Sequence, residues 1–224
     1  KAANLEEALA LFETHSACTY SVAWIDCLAS GAALGRSLLM VGEHARDGQL
    51  VLPAKPKLSV PLDMPSFLLN RFSVQAFNEL YYQRIRVRES KQRVSYESFF
   101  YPLDGIQQWN RLYGKQGFVQ YQFVIPKAAG LQGMRAILER ISASHRGSFL
   151  AVLKTFGAAN DNLLSFPMDG YTLALDFKLE PGLLELLEEL DEMARKARLP
   201  GNLGKLRREM AASLNKPAVV AATA

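Results

Sequence analysis

From Gly117 to Pro126 the chain reads Gly-Phe-Val-Gln-Tyr-Gln-Phe-Val-Ile-Pro, and this alternation constrains the local structure more tightly than any other stretch. Side chains alternate across a strand, so residues two apart share a face. Val119, Tyr121, Phe123 and Ile125 then point one way, and Phe118, Gln120, Gln122 and Val124 the other. Two amides on an otherwise apolar face sit either at a solvated surface or in a site that hydrogen-bonds a polar ligand.

Downstream the periodicity switches twice. Pro126 ends the strand, and Leu131, Met134, Leu138 and Ile141 then recur on one helical stripe. Residues 148–156 and 171–179 read as strands. Leu183, Leu186, Leu187, Leu190 and Met193 form a last helix, with Glu185, Glu188 and Glu189 early and Arg195 and Lys196 late, as the helix dipole favours. The order β-α-β-β-α predicts an antiparallel sheet with helices on one face, in the α+β class.

Upstream, residues 3–15 read as a helix capped by Asn4, with Leu5, Ala8, Leu9 and Phe12 at helical spacing. Residues 20–26 and 37–41 are strand-like, and Gly31 and Gly35 punctuate the link. Pro53, Pro56, Pro61 and Pro65 argue for a loop over 47–66. Phe67, Leu68, Phe72, Phe77, Leu80 and Tyr81 suggest a helix over 67–82, followed by a basic run with Arg84, Arg86, Arg88, Lys91 and Arg93. That run is either a solvated mobile segment or a patch facing an anionic ligand or lipid headgroups. Residues 201–224 turn basic, then rich in Ala and Val, and read as a frayed tail.

The 224 residues are 49% apolar and 21% charged, the profile of a globular chain able to bury a core. A net charge of +4 suits an acidic ligand or a membrane surface but does not argue for nucleic acid. Cys18 and Cys27 read as packing thiols in a reducing cytoplasm, and His15, His44 and His145 show no metal-ligand spacing. No apolar run reaches the length of a membrane span, and no signal peptide is visible. There is no GxGxxG or Walker loop to cradle phosphate.

Three late strands gather polar candidates. Thr172, Ala174 and Asp176 share one face, and Lys154 shares a face with Val152 and Leu150. If helices cover one side of the sheet, the other side collects Gln120, Gln122, Lys154 and Thr172. A lysine there either binds an anionic or hydroxyl-rich ligand, or stabilises a developing alkoxide, or snorkels to water at a sheet edge.

Seven segments in series carry a resemblance: Tyr20-Ser-Val-Ala-Trp-Ile-Asp26, Leu34-Gly-Arg-Ser37, Tyr101-Pro-Leu-Asp104, Trp109-Asn-Arg-Leu-Tyr-Gly114, Gln120-Tyr-Gln-Phe-Val-Ile-Pro126, Lys154-Thr-Phe-Gly157 and Leu164-Ser-Phe-Pro167. From about residue 3 to 198 the chain resembles FAD-linked oxidoreductases of the vanillyl-alcohol-oxidase type, in the decaprenylphosphoryl-β-D-ribose oxidase family. The resemblance implies the substrate-binding or cap portion that covers the flavin, with FAD held by a separate FAD-binding domain. It implies a connector helix over 1–19, a cap domain over 20–198 with a mobile loop region at about 47–98, and a divergent tail over 199–224. It makes Lys154 the catalytic residue, close to flavin and substrate. Gln120, Gln122 and Thr172 become substrate-binding residues, with Trp109 as a pocket wall, and Lys154 and Gln122 also meet the cofactor. The substrate implied is a sugar or alcohol, lipid-linked at a membrane surface, oxidised by hydride transfer to flavin.

The chain departs from the family at two places. A Trp-Asn-x-Cys strand is Tyr171-Thr-Leu-Ala174 here, and the closing Gly-Arg-Leu-Tyr-x-x-Lys-Asp segment finds no match after Ala197. A binding module without redox chemistry, using the same sheet face, is the alternative. A structural domain whose glutamines simply face water is a third reading.

Overall fold

The computed structural model describes residues 1–46, 48, 58–163, 165 and 167–197. The elements run α1 (Leu5–Thr14), β1 (Tyr20–Ile25), β2 (Ser37–Gly42), β3 (Leu58–Ser59), α2 (Arg71–Gln83), α3 (Tyr96–Phe100), β4 (Ile106–Gln107), β5 (Phe118–Pro126), α4 (Gly130–Ser144), β6 (Ala151–Phe156), β7 (Gly170–Lys178) and α5 (Leu183–Ala197). Five strands form one sheet in the order β2-β1-β6-β7-β5, with every pairing antiparallel. The β-α-β-β-α unit expected from the late periodicity is therefore present, and the β1–β2 hairpin extends its sheet beyond β6.

Local chemistry sets the element ends. The Asn4 side chain accepts from the Glu7 N–H and caps α1. Asn70 and Ser73 form a reciprocal capping box, so α2 begins at Arg71, and Phe67 and Leu68 lie ahead of it rather than on it. The Ser148 hydroxyl donates to Leu150 O at 2.6 Å and accepts from Leu150 N at 3.0 Å, which turns the chain before β6 starts at Ala151. Pro126 is tolerated in β5 because β5 is an edge strand. Gly170 has no room for a side chain: a Cβ there would stand 2.3 Å from Ile125 O on β5. Between Pro56 and Pro61, where the prolines argued for loop alone, Leu58–Ser59 pairs in parallel with Ile106–Gln107. The tail over 201–224 and most of the loop over 47–57 lie outside the described residues.

One face of the sheet carries Tyr121, Phe123, Ile125, Leu153, Leu173, Leu175 and Phe177, all buried. Leu5, Leu9 and Phe12 of α1, Met134, Ile137 and Leu138 of α4, and Leu183, Leu187 and Leu190 of α5 join the same core. On the other face, Trp24 and Leu38 pack with Tyr82 of α2 in a small second cluster. Helix α2 thus shelters the β1–β2 end and leaves the β6-β7-β5 part of that face to the polar candidates.

Candidate functional site

Register places the polar residues together. Trp24 lies opposite Val152, Val152 opposite Ala174, and Ala174 opposite Gln122. Beside this row, Lys154 is opposite Thr172 and Thr172 opposite Val124, while Gln120 faces Asp176. Directly paired residues project to the same side of a sheet, so Gln120, Gln122, Lys154 and Thr172 do share the second face.

Their bonding differs. The Gln122 Nε2 donates to Thr172 Oγ1 at 3.0 Å, and the Thr172 hydroxyl donates onward to the Phe123 carbonyl at 2.9 Å. The Gln120 Nε2 donates to Asp176 Oδ1 at 3.0 Å. Thr172 and Asp176 are each 1% exposed. Among the described residues the other carboxylate oxygen, Asp176 Oδ2, is buried with no partner. Burial pushes the Asp176 carboxyl up to about 6, against the opposing pull of the Gln120 hydrogen bond. Over this end of the face lies the 3-10 turn Trp109–Tyr113. Its Tyr113 stacks on Phe118 and Phe149 at 4.6 and 5.3 Å, and its hydroxyl donates to the Asp176 main-chain carbonyl at 3.4 Å.

Lys154 is exposed, so its ammonium escapes the desolvation that burial would impose. The ammonium forms no ion pair or hydrogen bond with any described residue. Lys154 lines a cleft of about 1690 Å³ with Trp24, Phe77, Tyr81, Phe100, Trp109 and Phe149. Aromatic rings cluster on part of its wall: Trp24 and Tyr81 are 4.7 Å apart, and Phe77 stacks on Tyr81 at 5.6 Å. Arg84 lies 3.8 Å above the Tyr81 ring and, like Lys127, brings a further cation to the cleft. Of the residues expected from the sequence, Lys154 and Trp109 line this cleft. Gln120, Gln122 and Thr172 lie on the same sheet face, further toward β5 and outside the lining.

The cleft also holds residues that the sequence reading passed over. Trp24 could have been found from parity alone, since it projects with Val22 and Tyr20 from a strand. Phe77 and Tyr81 could not, because only the docking of α2 on β1 brings them there. Asp176 was legible as an acid in an apolar strand, but its lone amide partner was not. Among the described residues no group of three or more His, Cys, Asp or Glu side chains could hold a metal ion.

An antiparallel sheet flanked by helices, with a large aromatic-lined cleft on its second face, is a mixed α+β fold consistent with a cap or substrate-binding subdomain. The chain is 35% identical over 199 residues to a decaprenylphosphoryl-β-D-ribose oxidase of Mycolicibacterium smegmatis (strain ATCC 700084 / mc(2)155), a match to 84% of this chain and 43% of that protein. It is 27% identical over 188 residues to an uncharacterized protein in the mprA 5′ region of Streptomyces coelicolor, covering 78% of this chain and 51% of that one. The chain thus spans about half the length of the curated relatives it matches, and it is homologous to part of the oxidase. No protein-family model matches it.

Proposed function

We propose that this chain is the substrate-binding part of an FAD-dependent oxidoreductase that oxidises a sugar or alcohol hydroxyl by hydride transfer to flavin. The observation that carries the reading is the homology to part of an oxidase, on a chain whose second sheet face puts a free lysine into an aromatic cleft. The partner it requires is an FAD-binding domain, corresponding to the portion of the oxidase outside the match. When bound, FAD supplies the hydride acceptor. The polar set fits the ring end of such a cofactor, with one ammonium donor and two outward amide oxygens on one face. It does not fit the diphosphate, because the sequence holds no glycine-rich phosphate loop.

In this reading Lys154 donates a hydrogen bond to the substrate hydroxyl oxygen or to the flavin edge, and stabilises negative charge developing there. Gln120 and Gln122 orient the substrate, Gln122 also meets the cofactor, and Thr172 holds Gln122. Trp109, Trp24 and Phe149 wall the cleft and exclude water. The domain division follows the same reading: α1 lies in a connector over 1–19, and the cap runs over 20–198. A peripheral contact with an anionic lipid surface, suited to a lipid-linked substrate, is supported by Phe67, Phe72 and Leu80. These are 73%, 75% and 74% exposed and lie close in sequence to the exposed Arg71, Arg84 and Arg86. Free Cys18 and Cys27 accord with a cytoplasmic location.

The test joins this chain to the FAD-binding half of the oxidase and follows dye-coupled oxidation of a prenylphosphoryl ribose. Lys154→Ala is expected to lower turnover at least a hundredfold while changing stability by less than about 0.5 kcal/mol, as for an exposed side chain. Wild-type turnover in the variant removes Lys154 from the chemistry. Ligand binding by the joined protein with no reduction of its flavin favours the non-redox binding module instead.

A further inference from the structure

We propose that Asp176 is a positioning residue that locks the Gln120 amide with its carbonyl oxygen outward, so that Gln120 and Gln122 present a pair of hydrogen-bond acceptors selecting a ring that donates two hydroxyl hydrogens. An amide can face either way, and its partner decides which. An ionised carboxylate only accepts, so Asp176 draws the Gln120 NH2 inward at 3.0 Å and turns its oxygen away. Thr172 does the same to Gln122 by a different route. Its single hydroxyl proton is committed to the Phe123 carbonyl at 2.9 Å, so toward Gln122 it can only accept. Among the described residues neither amide oxygen accepts a hydrogen bond.

The two glutamines are two positions apart on β5, which separates the acceptors by roughly 6–7 Å along the strand. That spacing fits hydroxyls on non-adjacent carbons, such as the 2- and 5-hydroxyls of a pentofuranoside, better than two on adjacent carbons. The inference rests on the reading of this sheet face as the ligand-facing one, and adds the polarity of what it recognises. A side chain 1% exposed with one oxygen unpartnered is a poor structural choice for this strand. Fixing the polarity of Gln120 gives it a reason to be there. Few titratable groups surround Asp176. They are Tyr113 on the covering turn, Cys27 reached through Ser148, and Lys178 further along β7, whose ammonium is engaged by the Ser66 and Leu69 carbonyls. Burial pushes the Cys27 thiol up to about 12 and the Tyr113 hydroxyl further, so neither titrates near neutral pH.

The side-chain NH2 of Gln120, identified in nitrogen-15 spectra of the whole chain by its loss in Gln120→Glu, reads the lock directly. Between pH 4 and 8 its shifts are expected to move with one midpoint near 6, and in Asp176→Asn to stay constant. Wild-type signals that do not titrate overturn the lock, and this arm decides even if the variant fails to fold. A second arm adds methyl β-D-ribofuranoside or its fully O-methylated ether, which keeps the ring but donates no hydrogens. Shifts at Gln120 and Gln122 with the glycoside alone, weakened at least fivefold in Asp176→Asn, support the acceptor pair. An equal response to both sugars, or to neither, overturns it. Neither arm uses flavin or turnover, so failure of the oxidoreductase reading is seen separately.

Discussion

Two buried aspartates are treated very differently. Asp26 receives Arg36 Nε and Nη2 at 2.9 and 2.7 Å, Asn78 Nδ2 at 2.7 Å and the Leu28 N–H at 3.1 Å. Among the described residues Asp176 receives only Gln120 from a side chain. A carboxyl whose folded value of about 6 exceeds its ordinary 3.8 binds more protons folded than unfolded between those values. Stability from the protonated form is therefore complete below the unfolded value and is lost as pH rises through the folded one. At pH 7 the loss is on the order of 2–3 kcal/mol. Thermal melts should show Asp176→Asn more stable than wild type at pH 7, with the gap closing toward pH 4. A gap of the same size at both pH values would mean that Asp176 is not held in this way. At this scale the sequence announced Gln120, Gln122 and Lys154 by parity. It could not announce which hydrogen bonds the glutamines make, because their partners Asp176 and Thr172 lie 56 and 50 residues away.

Helix α2 has three apolar sides where a surface helix normally has one. Val74, Asn78 and Tyr82 are buried, Phe77 and Tyr81 face the cleft, and Phe72 and Leu80 are exposed. The periodicity of the segment was visible in the sequence, but which side met the sheet was not. Several sides qualified on hydropathy, and the choice was made by Asn78 reaching Asp26 and Tyr82 reaching the Ala2 carbonyl. If the outward side meets lipid as proposed, the chain should sediment with phosphatidylglycerol vesicles and not with phosphatidylcholine ones, and added salt should weaken this. Changing Phe72 and Leu80 to serine should cut vesicle binding at least fivefold with little change in melting temperature. Undiminished binding would assign the contact to another surface.

At the scale of the whole molecule, α1, the β1–β2 hairpin and the late β-α-β-β-α unit share one core. Phe12 is 2% exposed in the cluster that holds Ile137, Leu153 and Leu187. Phe12→Ala should cost about 3–5 kcal/mol. It should also shift the urea midpoints seen by tryptophan fluorescence and by far-ultraviolet circular dichroism together. Separate midpoints would make α1 an independent connector, energetically as well as in the proposed division. Alternation over 118–126 and helical stripes over 130–144 and 183–197 were enough to determine the late elements and their class, because binary patterning is a local property of the chain. The order β2-β1-β6-β7-β5, the docking of α2 and the cleft at Lys154 were decided only by tertiary structure. They depend on pairings such as Trp24 with Val152, between residues so far apart in sequence that the closure of the core, and no local preference, selects them.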